Sequence, residues 1–509
     1  MKNHSILNTH DSRLFLSKFL VVLFCVSSIL GQAQTKKNFP EKSILKAEPA
    51  MQMRFLAADE MQGRRTGEMG NYVAARYIAE QFRMLGIKTP NAQSDYLLPV
   101  ELIQTKPAAE GFIVADKDTL RMGKEMVILS GGPTNLTADV VFVGYGSEEE
   151  LQKIDVKGKI VVAQIGSPDD KSPQQMISSS AKKRKIAADQ GAVLLIEIYT
   201  GSFPWSFAAR YFNAERLRVA DATVSSPMPH AWVNGQLAKY AKLFTKGEVA
   251  TAQFSTSGRS DKNLRAFNVA GIIEGTDPVL KNEYVILTAH FDHIGTGKKG
   301  GGAFTAADSI FNGARDNAFG TVALLTAAKA LALMPTKRSV LVLALTGEEL
   351  GLLGSKYYAE HPVIPLKNCV FNFNTDGAGY TETGIVSVIG LDRTGVRAEV
   401  EAACKLFGVG VFAEPAPEQG LFDRSDNVSF AAKGIPAPTF SPGFRKFDEV
   451  LMQNYHQVTD NPESIDFDYL LKYCQVYAHA ARLIANRAQA PFWEAGDVYE
   501  KAGKTLYSK

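Results

Sequence analysis

The sequence predicts an α/β fold in which a mostly parallel central sheet carries helices on both faces, with a small β-rich domain inserted into it. From Arg265 onward, apolar strand-like runs alternate with longer helical patterns, which is typical of a parallel sheet covered on both faces. Between about Thr105 and Asp261, short β-rich segments alternate with turns that contain glycine and charged residues. The chain has 509 residues, of which 45% are hydrophobic, so it is long enough for two or three domains with their own cores.

Residues 1–33 have the pattern of a secretory signal peptide. A basic start precedes an apolar run at 19–30, and a small-residue cleavage pattern ends at Ala33. The apolar run is too short to span a bilayer comfortably. We therefore expect cleavage after Ala33 and a secreted or periplasmic protein. A retained anchor or lipid attachment through Cys25 is the alternative, although Phe24 occupies a position where a small residue would be expected.

The charge composition indicates neither a nucleic-acid partner nor an anionic membrane surface. The chain has 56 basic and 53 acidic residues, which leaves a formal net charge of only +3. Proteins that bind polyanions through their overall field carry a larger excess of one sign. We expect no nucleic-acid partner and no membrane contact beyond the signal sequence.

Residues 34–104 are predicted to form the first part of the main domain, after a polar lead-in. Apolar residues recur at three-to-four spacing from Tyr72 to Leu85, which predicts an amphipathic helix that ends at Gly86. The inserted β-rich domain is predicted at 105–262. Its expected strands are Gly111–Ala115, Ala138–Val143, Lys159–Ala163 and Ala192–Ile198, with a helix at Ser180–Gln190.

Residues 263–490 are predicted to form the rest of the main domain, in which strands and helices alternate. The expected strands are Val269–Glu274, Tyr284–His290, Ser339–Leu345 and Val370–Thr375, and the expected helices are Phe319–Met334 and Leu350–Glu360. Residues 491–509 form a C-terminal tail, which we expect to pack along this domain.

The strand at Tyr284–His290 leads directly into polar residues. His290 and Asp292 are two positions apart and share a face if the strand continues, and His293 follows. The carboxyl edge of the sheet is where open α/β folds place their sites. A pair of exposed polar residues at a strand end is the alternative interpretation.

Four further candidates follow the next elements of the chain. Asp316 lies just ahead of a predicted helix, where an N-cap is the alternative role. Glu348 and Glu349 follow a strongly apolar strand, although a solvated acidic pair at a helix start is also common. Asp376 follows the next strand, in a turn-forming Asp-Gly pair. His456 stands alone, and lone histidines are more often structural.

The joint occurrence of these candidates favours a metal site over five separate structural roles. His290, Asp316, Glu349, Asp376 and His456 supply the imidazole and carboxylate ligands that Zn²⁺ accepts. If two ions share these ligands with Asp316 as the bridge, each ion has three protein ligands. That number leaves coordination positions for water and substrate.

Five segments in order, AHFDHIG, NGARDNAFG, TGEELGLLGS, NTDGAG and NYHQVTD, resemble the motifs of the co-catalytic zinc aminopeptidases. That family also contains glutamate carboxypeptidases and transferrin-receptor-like proteins. The resemblance covers about 51–105 and 265–487, and it implies the zinc exopeptidase fold. It also implies that Asp316, Glu349 and His456 hold one Zn²⁺, that Asp316, His290 and Asp376 hold the other, that Glu348 is the general base, and that Asp292 supports the histidine ligand.

Three positions depart from the family pattern. Asn427 stands where a histidine is often found, and Phe319 replaces a residue that is usually small. Phe422 falls near the place where some relatives carry a tyrosine that stabilises the oxyanion, so the sequence assigns no residue to that role. Within the insert, Val143-Gly144-Tyr145-Gly146 and the segment 155–161 resemble the protease-associated domain, a small β-rich module often attached to peptidases.

The resemblance implies a zinc-dependent exopeptidase that acts on peptides, most simply an aminopeptidase. A carboxypeptidase is the nearest alternative and would need a cationic pocket; Arg315, Arg424 and Arg445 all lie in or near the candidate segments. Two further alternatives are a glutaminyl cyclase, which would use one metal, and a receptor-like scaffold without catalysis. The complete ligand set with Glu348 argues against the scaffold.

Overall fold

The computed structural model describes Met1 and residues 39–90, 95–170, 173–201, 204–220, 228–245 and 249–508. The predicted signal peptide lies outside this part of the chain except for Met1. Among the described residues, the strands are β1 Leu97–Lys106, β2 Gly111–Ala115, β3 Asp118–Arg121, β4 Met126–Ser130, β5 Thr134–Phe142, β6 Ile160–Gln164, β7 Leu194–Tyr199, β8 Arg216–Val219, β9 His230–Asn234, β10 Thr251–Thr256, β11 Ser260–Ile273, β12 Tyr284–His290, β13 Gly295–Thr296, β14 Ile310–Phe311, β15 Ser339–Leu345, β16 Cys369–Thr375, β17 Ile385–Ile389, β18 Gly410–Ala413 and β19 Thr439–Pro442.

The α-helices precede, separate and follow the strands along the chain. Those of the described residues are α1 Ala47–Leu56, α2 Met69–Met84, α3 Glu148–Gln152, α4 Pro173–Asp189, α5 Trp205–Phe212, α6 Ala238–Thr245, α7 Phe319–Leu333, α8 Leu353–Glu360, α9 Arg397–Phe407, α10 Asn427–Ala431, α11 Glu449–Met452, α12 Phe467–Ala485 and α13 Glu500–Tyr507. None of these helices is both long enough and apolar enough to cross a membrane.

The larger sheet has nine strands in the order β18-β17-β19-β16-β12-β15-β11-β1-β8. Its centre is parallel, because β12 pairs in parallel with both β15 and β16, and β16 pairs in parallel with β19. The predicted α/β fold class is confirmed. The flanks are more mixed than the sequence predicted, since β11 pairs with β15 and β1 pairs with β11 in antiparallel fashion.

Alternate residues of the central strands face two separate hydrophobic cores. In β15, Val340, Val342 and Ala344 pack in one core with α7 and α12. Leu341 and Leu343 pack in the other core, with residues of α8 and α10. All seven residues of β15 are buried, as expected for a strand covered on both faces. The central sheet is therefore a rigid support for the residues at its edges.

The smaller sheet has eight strands in the order β3-β2-β10-β5-β6-β7-β9-β4, and it lies entirely within residues 111–256. It has its own core, which includes Phe254 and Val162. The strand β8 lies in the same stretch of chain but pairs with β1 at the edge of the nine-stranded sheet. The identity of this part as a protease-associated domain, and its limits at 105 and 262, stay predictions.

The C-terminal tail packs against the main domain through Trp493. This side chain lies in the same core as Phe422 and donates a hydrogen bond from Nε1 to the carbonyl of Gly434. The helix α13 follows, and Gly503 in it lies against the backbone of Gly434.

A buried ion pair lies in the core of the smaller sheet. The Glu197 side chain is fully buried and accepts hydrogen bonds from Lys183 Nζ at 2.6 Å, His230 Nε2 at 2.9 Å and Trp232 Nε1 at 2.9 Å. Burial alone would raise the pKa of Glu197, but the hydrogen bonds and charges of His230 and Lys183 outweigh it and lower the pKa to about 2.

Replacing Glu197 with glutamine is expected to destabilise the protein by roughly 3–5 kcal/mol, because the ammonium of Lys183 is then buried without its counter-charge. Urea unfolding measures this change. Glu149→Gln removes an exposed carboxylate of α3 and is the matched control, with little expected effect. Equal stability of the two variants would contradict the importance of the buried pair.

The contribution of Glu197 should also depend on pH in a defined direction. Its pKa in the folded protein, about 2, lies below the ordinary value of 4.5. The stabilisation is therefore complete above pH 4.5 and is lost as the pH falls towards 2. The difference in unfolding free energy between the unsubstituted protein and Glu197→Gln should shrink across that range.

Candidate metal centre

Three neighbouring parallel strands deliver the first candidates to one edge of the nine-stranded sheet. His290 is the last residue of β12 and pairs in register with Leu345, the last residue of β15. Glu348 and Glu349 follow β15 after a short turn, and Asp376 is the first residue after β16. Since the three strands run in parallel and end together, their polar residues meet at the carboxyl edge of the sheet.

The first group of potential ligands consists of His290, Asp316 and Asp376. His290 Nε2 lies 3.1 Å from Asp376 Oδ1 and 3.4 Å from Asp316 Oδ1. Ser425 Oγ donates a hydrogen bond to the other carboxylate oxygen of Asp376. One ligand atom from each member of the group lies within 4.8 Å of the others, which is compatible with one metal ion.

The second group shares Asp316 with the first. His456 Nε2 lies 3.2 Å from Asp316 Oδ2 and 3.1 Å from Glu349 Oε2. The two oxygens of Asp316 therefore face the two groups separately. All five residues predicted as ligands are brought together by the fold, although they come from five separate segments of the chain.

His293 also reaches the second group, where the sequence analysis assigned it no role. Its Nδ1 lies 2.7 Å from Glu349 Oε1, and His293, Asp316 and Glu349 form a cluster with metal-ligand spacing. The contact with Glu349 does not have hydrogen-bond geometry, and Nε2 of His293 has no hydrogen-bond partner among the described residues. The signal was present in the sequence, since His293 follows Asp292 in the same turn.

Asp292 supports the site through hydrogen bonds to the turn that carries Glu348 and through its own backbone carbonyl. Its carboxylate accepts hydrogen bonds from the backbone N–H of Glu348 at 3.2 Å and from Thr66 Oγ1 at 3.1 Å. His290 Nδ1 lies 3.2 Å from the Asp292 carbonyl oxygen but 3.7 Å from the carboxylate. Nδ1 of His290 thus faces Asp292 and lies closer to its backbone carbonyl than to its carboxylate.

Glu348 lines the same cavity as the two groups. Burial, together with the negative charges of Asp376, Glu349 and Asp426, raises the pKa of Glu348 well above its ordinary value, and the opposing effect of His290 is smaller. Glu349 shows the opposite shift. Burial would raise its pKa, but His293 and His456 hold it well below the usual range. The two neighbouring glutamates are therefore electrostatically distinct.

Arg64 holds the two loops that carry the site, and the sequence analysis gave it no role. Its guanidinium is completely buried and donates hydrogen bonds to four backbone carbonyls, those of Phe291, Leu56, Asn312 and Gly313. Burial lowers the pKa of Arg64 to about 10, against the attraction of four nearby carboxylates. At that value the side chain stays charged at neutral pH and places a fixed positive charge behind the acidic cluster.

Asp460 is a second supporting residue that the sequence analysis did not assign. Its buried carboxylate accepts hydrogen bonds from the backbone N–H groups of Arg315, at 3.0 and 2.9 Å, and of Asp316, at 3.2 Å. It lies four positions after His456 in the sequence. It therefore ties the loop of His456 to the loop of Asp316, so that both ligands are positioned together.

The alternative role of Asp316 as a helix N-cap is wrong. Its side chain makes no capping hydrogen bond, and α7 begins three residues later at Phe319. Asn317 Oδ1 instead accepts a hydrogen bond from the backbone N–H of Gly320. The Asp316 carboxylate is left free to face the two groups of ligands.

The site opens into a cavity of about 80 Å³ with a mixed lining. One wall is apolar and contains Ile389, Leu421, Phe444 and Phe447. Tyr455 also lines it and stacks on His456, with ring centroids 4.1 Å apart. Burial and nearby carboxylates raise the pKa of Tyr455, so its hydroxyl stays protonated and can donate a hydrogen bond.

Phe422 does not face the cavity and has a packing role. It is buried against Trp493 and Tyr499, and the guanidinium of Arg393 lies 3.8 Å from its ring centroid. Asn427 is also structural, since its side-chain amide donates hydrogen bonds to the carbonyls of Phe422 and of residue 437.

The three arginines near the site differ in their availability. Arg315 is buried and pairs with Asp460 at 3.1 Å, and Arg445 pairs with Glu382 at 2.8 Å on the surface. Arg424 lines the cavity and has no ion-pair partner among the described residues. Its nearest polar contact is the hydroxyl of Tyr455 at 3.4 Å.

The residues present fit divalent zinc. Imidazole nitrogens and carboxylate oxygens are the donors that Zn²⁺ accepts, and no thiolate is required. The buried cluster also contains polar atoms that the protein does not fully satisfy: His293 Nδ1 and Glu349 Oε1 lie 2.7 Å apart without hydrogen-bond geometry, and His293 Nε2 has no hydrogen-bond partner among the described residues. Buried polar atoms without partners are costly, and a bound cation would satisfy them.

A sheet whose parallel centre gathers histidines and carboxylates into two adjoining groups at its carboxyl edge defines a candidate metal centre in an α/β fold. Residues 268–481 match the profile described as Peptidase family M28. This part of the chain is therefore similar to the M28 peptidases.

The proteins similar to this chain include two curated proteins and the solved structure of an aminopeptidase. Aminopeptidase YwaD of Bacillus subtilis (strain 168) is 26% identical over 340 residues, which are 66% of this chain and 64% of YwaD. The probable leucine aminopeptidase 2 of Aspergillus oryzae is 25% identical over 403 residues, 72% of each chain. The aminopeptidase from Aneurinibacillus sp. strain AM-1 has a TM-score of 0.56 at 22% identity, over 90% of this chain and 98% of that one. This structural likeness confirms the zinc exopeptidase fold.

Replacing Arg64 with lysine is expected to lower the unfolding free energy by about 3 kcal/mol or more, because one ammonium cannot satisfy four buried carbonyls. Metal affinity, measured by competition with a chelator, should fall as well, since both ligand loops lose their common anchor. Arg65→Lys is the matched control. Arg65 is only half-buried, and its nearest hydrogen bond is to the carbonyl of Ile294 at 3.0 Å. Unchanged stability and metal affinity in Arg64→Lys would contradict the anchoring role.

Proposed function

We propose that the chain is a zinc aminopeptidase that uses two Zn²⁺ ions to remove N-terminal residues from peptides. One observation carries this proposal: two groups of ligands share Asp316, and Glu348 lies in the same cavity without being a member of either group. Both curated relatives are named as aminopeptidases, which supports the same activity.

The proposed ligands divide between the ions through Asp316. His290 and Asp376 would complete one site, and Glu349 and His456 the other. When bound, a pair of zinc ions supplies Lewis-acid polarisation of the scissile carbonyl and lowers the pKa of water. His293 is close enough to the second group to replace His456 as a metal ligand. We assign it instead to positioning Glu349 through their 2.7 Å contact.

Glu348 is proposed as the general acid and base of the reaction. Its raised pKa makes the carboxylate a better acceptor of the proton that it would pass from the attacking water to the leaving amine. Asp292 positions Glu348 by accepting a hydrogen bond from its backbone N–H, and the carbonyl of Asp292 orients His290. The two residues thus have separate roles, one in proton transfer and one in positioning.

Tyr455 takes the role for which the sequence offered no residue. Its protonated hydroxyl lies in the cavity beside Arg424, and its ring is fixed by stacking on His456. We propose that it donates a hydrogen bond to the oxygen of the scissile carbonyl as negative charge develops there.

The lining of the cavity favours an uncharged, apolar side chain at the cleaved residue. Ile389, Leu421 and Phe444 form a wall without charged groups of their own. The carboxylates that also line the cavity suit a protonated α-amine. The name of the Aspergillus oryzae relative includes leucine, which agrees with this preference.

A carboxypeptidase remains the second candidate, because Arg424 is a cation in the cavity without an ion-pair partner among the described residues. It could bind the terminal carboxylate of a substrate. A glutaminyl cyclase would use one ion, and an inactive scaffold would bind none in a catalytic arrangement. The proposed aminopeptidase therefore differs from each alternative in an observable property.

We also propose export to the periplasm or the medium, on the basis of the pattern in residues 1–33. N-terminal sequencing of the exported protein tests this proposal. Cleavage after Ala33 would leave Gln34 as the first residue, and a protein that keeps its N-terminus inside the cell would contradict it.

Replacing Glu348 with glutamine is expected to lower kcat by roughly 100- to 10,000-fold without loss of metal, because proton transfer is removed while the ligands stay. Asp316→Asn should instead lower the metal content at both sites. Glu360→Gln, at the exposed end of α8, is the control and should keep full activity. Metal content by mass spectrometry and turnover are measured on the same samples. Full turnover in Glu348→Gln would contradict the proposed mechanism.

Substrates with a free α-amine should be cleaved faster than their N-acetylated counterparts, whereas a C-terminal amide should have little effect. Chelation should abolish cleavage, and Zn²⁺ should restore it. The measurement is hydrolysis of matched peptides with an apolar first residue. Preference for N-blocked peptides with a free carboxylate, lost in Arg424→Gln, would favour the carboxypeptidase instead.

A further inference from the structure

A second cavity lies away from the metal centre, between the edges of the two sheets. It has a volume of about 840 Å³, within the range typical of ligand-binding pockets. On one side it is lined by residues of β8, the edge strand of the nine-stranded sheet, and on the other by residues of β4, the edge strand of the eight-stranded sheet. None of its lining residues belongs to the metal centre.

Among the described residues, four arginines and one carboxylate line this cavity. The arginines are Arg184, Arg216, Arg218 and Arg259, and the carboxylate is Asp261. Asp261 is already paired with Arg218, at 3.0 Å. The cavity therefore has an excess of positive charge, in a chain whose overall charge is nearly balanced.

The arginines are not all explained by contacts within the protein. Arg259 donates hydrogen bonds to the carbonyls of Ile128 and Phe212, which is a structural role. Arg216 donates to the carbonyl of residue 211 and lies over an aromatic ring there. Arg184 has no hydrogen bond or ion pair with any described residue, and it is half-buried. The carboxylate that attracts it, Glu197, is already paired with Lys183 and His230.

Holding these cations together costs free energy in the absence of a ligand. Burial lowers the pKa of Arg184, and burial together with repulsion from Arg216 lowers the pKa of Arg259. A partly desolvated group of four arginines with a single carboxylate among them is unfavourable for folding alone, and groups of perturbed charges are concentrated at binding sites.

The remaining lining indicates the kind of anion. Leu129, Phe212 and Leu217 add an apolar surface that an inorganic anion or a sulfated sugar cannot use. Edge strands also present backbone N–H and C=O groups to which an extended peptide can add. Arginine matches carboxylates through two parallel hydrogen bonds. These features together fit a peptide that carries both carboxylates and apolar side chains.

We propose that the cavity between β4 and β8 binds an acidic peptide segment, with its carboxylates on Arg184 and Arg218 and its apolar side chains against Leu129 and Phe212. The site is separate from the metal centre and does not depend on the reaction proposed there. It gives the smaller sheet a recognition role beyond supporting the peptidase domain.

The test uses the full chain and a fluorescent peptide rich in glutamate and leucine, acetylated and amidated so that only side-chain carboxylates remain. Fluorescence anisotropy measures its affinity at low and high salt. We expect saturable binding that weakens with salt, and weak binding of the matched glutamine peptide. Arg184→Gln and Arg218→Gln should each reduce affinity roughly tenfold.

Arg121→Gln is the matched control, because Arg121 is an exposed arginine on β3, at the opposite edge of the same sheet. It should leave the affinity unchanged. Thermal unfolding of each variant verifies folding, and hydrolysis of a short neutral substrate reports separately on the metal centre. Equal binding of the glutamine peptide, full affinity in Arg184→Gln, or binding of heparin or phosphate without binding of the peptide would overturn the proposal.

Discussion

The structure around the metal centre depends on how it balances the mutual repulsion of buried carboxylates. Asp316, Glu348, Glu349 and Asp376 line one small cavity, and ionised groups this close together in a low-dielectric interior repel one another strongly. Burial and this repulsion raise the pKa of Glu348, whereas His293 and His456 hold the pKa of Glu349 below its usual range. Folding such a cluster requires positive charge nearby.

The protein supplies part of that charge itself and leaves the rest to bound cations. Arg64 lies behind the cluster, fully buried, with its guanidinium committed to four backbone carbonyls. His290 and His456 place ring nitrogens among the carboxylates. The positive charge of Arg64 is held against the loops that carry the ligands. Metal ions in the cavity would neutralise the negative charge that remains on the carboxylates.

The parts of the fold governed by local pattern were predicted well from the sequence. The ends of β12 and β15 agree with the prediction to the residue, because a continuous apolar run that stops abruptly at polar residues has one clear interpretation. The helix expected from Leu350 begins instead at Leu353. Gly351 and Leu352 both have positive φ, at 105° and 62°, so the chain turns there before it can enter a helix.

What the sequence could not provide are contacts between distant segments. Arg64 and Asp460 act on backbone groups, which have no sequence signature of their own. His293 directly follows Asp292 in the sequence, and only the fold brings it to Glu349. The pairing of β8 with β1 was likewise hidden, since a strand of four residues carries little pattern and its partner lies more than a hundred positions earlier.

We propose that Asp316 is shared between two cations. X-ray diffraction from crystals of the zinc-loaded protein, collected at the zinc absorption edge, is the direct test of this sharing. Two anomalous peaks are expected, one beside each oxygen of Asp316, with His290 and Asp376 next to one peak and Glu349 and His456 next to the other. A single peak, or a second peak coordinated by His293 with His456 turned away, would contradict it.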